Sequence, residues 1–60
     1  MDATKIMKEA KWDKNTIYQD QLSFTGPDGF VITVARSKEG QTRKEVEEIL
    51  IEQVQDRYGA

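Results

Sequence analysis

With neither histidine nor cysteine in its 60 residues, the chain lacks the commonest general base, the commonest thiol nucleophile and the usual zinc ligands. Carboxylates are its only plentiful acid and base groups. Glu45, Glu48 and Glu52 recur along one side of a helical stretch and could in principle grip a divalent cation. No Asp-rich calcium-type loop accompanies them, and a solvated helix face explains the row. Ser23 and Ser37 supply hydroxyls, but Ser23 falls opposite Thr33 in the register derived below, an ordinary cross-strand polar pair. Nothing near a lysine would lower its pKa enough to make it a base. The residues define no catalytic site, no cofactor site and no metal site, and the expectation is a protein that is not an enzyme.

Binding chemistry has one candidate. Lys5, Lys8, Lys11 and Lys14 recur every third residue with Trp12 among them, a pattern suited to neutralising phosphates while an indole stacks on a base. Asp2, Glu9 and Asp13 interrupt the lysines, so the segment is only weakly positive. The whole chain carries a net charge of −2, which favours neither a polyanion nor a basic partner.

The elements that must position these groups read as α+β. Residues 16–25 alternate, with Tyr18, Leu22 and Phe24 on one parity, and residues 30–37 place Phe30, Ile32 and Val34 on one parity. Between them, Pro27 and Asp28 suit the centre of a type I turn, and Gly29 suits the left-handed residue that follows in a three-residue hairpin loop. The implied register sets Gly26 opposite Phe30, Phe24 opposite Ile32, Leu22 opposite Val34, Asp20 opposite Arg36, and Tyr18 near Lys38. Apolar parity meets apolar parity, and the one acid on that face meets an arginine.

A C-terminal helix is expected over about residues 42–58, packed on that apolar sheet face. Thr42 and Glu45 have capping-box spacing, Arg57 lies in the last turn, and Gly59 can close the end. Val46, Ile49, Leu50 and Val54 suffice to cover the sheet, leaving Ile51 and Tyr58 on a flank that needs a second contact. The N-terminal stretch admits two readings. Ala3, Ile6, Met7 and Ala10 follow helical spacing behind Asp2 as a cap, giving a short helix. The rival reading pairs residues 9–12 with the first strand to make a three-stranded sheet.

The run Thr42, Arg43, Lys44 and Glu45, opening a helix after strands and a turn, resembles the Thr-Lys-Lys-Glu-like helix start of the small arm-type DNA-binding domains of phage integrases. That resemblance implies a sheet laid in the DNA major groove. The outward face here carries Gln21, Ser23, Thr33 and Ala35 with no basic residue at its centre. No DNA-contacting residues are therefore carried over.

Size decides the remaining expectations. Residues 1–60 form one small domain, and such a chain buries only about 60% of the surface its unfolded form exposes. Disulfides and thiolate zinc are closed to it, so association is the expected staple, as a homodimer through an edge strand, the Ile51 and Tyr58 flank, or both. No run approaches the roughly 18 apolar residues of a membrane span and "MDATKIMKEAKW" has no signal-peptide core, so the expected compartment is the cytoplasm. The leading functional expectation is a non-enzymatic protein-interaction module, such as a regulator or inhibitor of a larger protein, of a size common in phages and mobile elements. Its contact residues would be Trp12, Ile17, Val31, Ile51 and Tyr58. The alternative is a nucleic-acid-binding protein using Lys5, Lys8, Lys11 and Lys14.

Overall fold

The computed structural model describes residues 1–14, 20–37 and 39–59. Five elements follow in order: α1 (Ala3–Glu9), β1 (Lys11–Asp13), β2 (Gln21–Thr25), β3 (Val31–Ala35) and α2 (Arg43–Tyr58). The strands form one antiparallel sheet in the order β1-β2-β3, with α2 packed across β2 and β3. The α+β architecture expected of the sequence is thus present.

The two readings of the N-terminus are both realised, one after the other. Asp2 caps α1 by accepting the Lys5 N–H at 2.9 Å, and Ile6 points into the core. At Ala10 the backbone turns extended, with ψ 147°, and the chain enters β1, where Trp12 sits opposite Leu22. The lysine repeat therefore does not continue along one helix face.

The hairpin register is the one that side-chain parity dictates: Leu22 faces Val34 and Phe24 faces Ile32. The Arg36 N–H reaches the Asp20 carbonyl at 2.8 Å, and the Gly26 N–H reaches the Phe30 carbonyl at 2.8 Å, so pairing extends past both strand ends. Of the expected strands of residues 16–25 and 30–37, the structure shows Gln21–Thr25 and Val31–Ala35 as strand, and residues 16–19 lie outside the described residues. The Tyr18 and Lys38 pairing lies outside the described residues. Gly29 closes the turn with φ +85°, a conformation that a β-branched residue resists.

At α2 the Thr42 hydroxyl accepts the Glu45 N–H at 3.2 Å, and Gly59 ends the helix with φ +87°. The Glu45 carboxylate bonds that same hydroxyl at 3.3 Å. The core gathers Ile6 from α1, Leu22 and Phe24 from β2, Ile32 from β3, and Val46, Leu50 and Val54 from α2.

Two expected core positions need correction. Phe30 is 49% exposed and Ile49 is 37% exposed, whereas Val34 is half-buried and packs against the core as expected. Conversely, the flank of α2 that carries Ile51 and Tyr58 is not left open. Both residues are half-buried against the core. α1 lies against α2, the Gln55 amide donates to the Met1 carbonyl at 3.3 Å, and the Met1 amine bonds the Gly59 carbonyl. The physical reason is the wide apolar arc of α2: one side of it takes the sheet, and the chain's own N-terminus takes the next.

Candidate protein-interaction surface

Two polar knots fix the ends of α2 and so decide which surfaces remain free. At one end Asp20, only 5% exposed, receives Arg36 Nε on one oxygen at 2.6 Å and Arg43 on the other at 2.9 Å. Arg43 also lies over the Trp12 ring, 4.7 Å from its centroid. One carboxylate thereby ties β2 to β3 and to the first turn of α2, and through the stacked guanidinium to β1. Of the buried side-chain nitrogens and oxygens among the described residues, none lacks a hydrogen-bond partner.

At the other end Asp28, in the hairpin turn, accepts from the Phe30 N–H at 3.1 Å, from Arg57 at 3.2 Å and from the Tyr58 hydroxyl. Gly26 is needed here for space, because a Cβ on it would overlap the Tyr58 ring. The Tyr58 hydroxyl, and after it the Phe30 N–H, hold the Asp28 carboxyl down at about 2 against an ordinary 3.8. The same bond to Asp28 pushes the Tyr58 phenol above its ordinary range.

The sign for stability follows from the lowered value. The native fold binds the Asp28 proton less readily than the unfolded chain does, so its contribution is full above 3.8 and is lost as the pH falls through about 2. Asp28→Asn is accordingly expected to lose less stability than the wild type across that interval in acid unfolding followed by circular dichroism. Parallel curves would mean that the turn carboxylate is not held by the helix end.

With both ends of α2 secured and α1 along one flank, the opposite flank and the adjoining sheet edge stay open among the described residues. The pairing of Gly26 with Phe30 and of Asp20 with Arg36 puts the even-numbered residues of β3 in the hydrogen-bonded positions toward β2. Val31, Thr33 and Ala35 therefore direct their backbone N–H and C=O groups away from β2. Among the described residues β3 pairs with β2 alone. A shallow groove runs along this edge between the strand and the Gln53, Asp56 and Arg57 side of α2. Ile49 projects from that same side, one turn before Gln53.

The exposed large apolar side chains among the described residues are Phe30, Val31 and Ile49; the first two line this groove, and helical spacing puts Ile49 on the same side of α2 as Gln53. Val31 is 52% exposed. Arg57 covers one face of Phe30, with its guanidinium 3.9 Å from the ring centroid. The other edge is much poorer: β1 is three residues long, and its outward side chains are Lys11 and Asp13.

Of the residues expected to bind a partner, Val31 alone lies on this surface. Trp12 is half-buried against the core under Arg43, Ile51 and Tyr58 are packed as described, and Ile17 lies outside the described residues. Phe30 and Ile49 are the members that sequence reasoning missed. For Ile49 a signal existed, since it marks the end of the apolar arc opposite Ile51.

The lysines do not converge on a single patch. Lys5 and Lys8 are exposed on α1, Lys11 is on β1 and Lys14 follows it. The two shallow depressions beside them also contain Asp2 and Glu9, and Glu9 and Asp13, respectively. Ser23 and Thr33 form the expected hydroxyl pair at 3.4 Å on the outer sheet face. Among the described residues no cluster of carboxylates is placed to hold a metal ion, and no helix is long and apolar enough to cross a membrane. Compared with known protein families, curated proteins and solved structures, the chain matches none.

Proposed function

We infer that the protein is a non-enzymatic protein-interaction module that accepts an extended segment of another chain along the open edge of β3. One observation carries this reading: the exposed large apolar side chains Phe30 and Val31 line the groove along a strand edge whose backbone groups face outward, with Ile49 on the adjoining side of α2. Strand addition draws affinity from such backbone groups and specificity from side chains beside them. Natural sheets usually guard a free edge with charge, proline or a bulge, whereas the span from Val31 to Ala35 has none of these. A regulator or inhibitor of a larger protein needs only such an edge and an apolar rim.

The test isolates the edge. Thr33→Pro removes a backbone donor that faces away from β2, a position where strands tolerate proline. Panning a displayed random-peptide library on the wild-type protein is expected to enrich alternating β-branched peptides whose binding persists at high salt and is lost on Thr33→Pro. Binding confined to DNA or RNA and weakening steeply with salt would instead assign the protein to the nucleic-acid class.

A further inference from the structure

We propose that the segment taken by the β3 edge is β3 of a second copy of this chain, the two strands pairing antiparallel about a two-fold axis beside Thr33. This rests on the reading of the edge given above and names its occupant.

Backbone parity restricts the register. Only Val31, Thr33 and Ala35 offer groups to the open edge, so only these can occupy hydrogen-bonded positions of a new pair. With Thr33 opposite Thr33, Val31 meets Ala35 of the second copy, and all three residues of each strand are used. Sliding one copy by two residues in either direction leaves Val31 or Ala35 unpaired. The same register sets Ile32 opposite Val34 on the core side and Phe30 opposite Arg36. Along the paired strands no two charged side chains stand directly opposite each other, so the register carries no cross-strand charge repulsion.

The helices supply a second layer. A two-fold axis perpendicular to the sheet keeps both copies of α2 on one face. α2 packs on both β2 and β3. Strands lie about 4.8 Å apart, so a helix centred between β2 and β3 is about 5 Å from the axis, and the two helices are about 10 Å apart. Packed helices approach to about 8–10 Å. The contact falls on the side that carries Ile49, near mid-helix, and gives that 37% exposed side chain an apolar neighbour in the other copy.

Area sets the strength. A five-residue strand is about 17 Å long, and with one helix flank above it the strip falls short of the roughly 800 Å² per partner of a standard interface. The dimer is therefore expected to dissociate on dilution.

The chain has no cysteine, so a single introduced thiol reports the register without background. Thr33→Cys brings two Cα atoms to about 5.5 Å, inside the disulfide range of about 4.4–6.8 Å. Val31 of the two copies is four residues apart along the pair, about 13 Å. Under mild oxidation or with a short thiol-bridging reagent, Thr33→Cys is expected to give a covalent dimer and Val31→Cys to stay a monomer. Light scattering across a dilution series should show a reversible dimer, with a dissociation constant raised at least about tenfold by Ile49→Asp or Thr33→Pro. Circular dichroism checks that both variants remain folded.

Cross-linking of Val31→Cys as fast as Thr33→Cys overturns the register. A monomer at every concentration, with no Thr33→Cys cross-link, overturns self-pairing. If library peptides are still lost on Thr33→Pro in that monomer, the edge remains a site for a different chain. If they are retained on Thr33→Pro, the edge reading fails as well.

Discussion

Replacing Asp20 with alanine is expected to cost about 2 to 4 kcal/mol of folding free energy. The carboxylate is almost fully enclosed and takes charge-assisted hydrogen bonds from Arg36 at 2.6 Å and Arg43 at 2.9 Å. Removing one partner of a buried pair costs about 3 to 5 kcal/mol when the other charge stays stranded out of water. Here Arg43 is more than half exposed and can turn to solvent, which lowers the cost; Arg36, about one-fifth exposed, cannot do so as easily. Arg43 would also leave the Trp12 ring, so β1 is expected to loosen together with the start of α2.

For a domain of this size each kcal/mol moves the melting midpoint by about 4–8 °C, so thermal unfolding by circular dichroism resolves the effect easily. Asp20→Asn preserves shape and one acceptor and is expected to recover part of the loss. A fall of under about 1 kcal/mol for Asp20→Ala would mean that the guanidiniums are as well placed in water as on the carboxylate.

That pair also shows what the sequence makes legible. Asp20 and Arg36 lie symmetrically about a turn whose residue types fix its length, so counting outward places them together. Arg43 as the third member was invisible, because nothing local relates the first turn of α2 to a hairpin end 23 residues earlier. The same distinction separates the remaining successes from the corrections. Gly29, Thr42 and Gly59 declare local backbone requirements and stand where those requirements put them.

Phe30 has the right parity for the core, yet it lies at the turn, beyond the reach of the α2 apolar stripe, and the Arg57 guanidinium covers it instead. β1 is too short to show a period of its own. The residues of α1 keep helical spacing as far as Ala10, so no glycine or proline announces the change to strand. The candidate surface was half legible for a related reason. An apolar arc too wide for one sheet predicts a second neighbour but not which end of the arc receives it, and that choice depends on where α1 docks.

Docking of α1 therefore supplies the other large expected effect: Ile6→Ala should lose about 2 to 4 kcal/mol. Ile6 is the only buried side chain of α1 and is fully enclosed by the core. Truncating a buried isoleucine to alanine removes its transfer free energy and leaves a cavity, about 2 to 5 kcal/mol together. A seven-residue helix has almost no stability of its own, so α1 can release instead of tolerating the cavity, and that release caps the cost. Against a total of about 0.05–0.15 kcal/mol per residue, the loss takes a large share of the fold's stability.

Release also uncovers the flank of α2 that carries Ile51 and Tyr58. The variant is expected to bind a hydrophobic dye and to exchange its α1 amides freely while the β2 and β3 amides remain protected. If Ile6→Ala unfolds as the wild type does and binds no dye, α1 stays docked without that side chain, and the Met1 contacts to Gln55 and Gly59 must hold the flank closed instead.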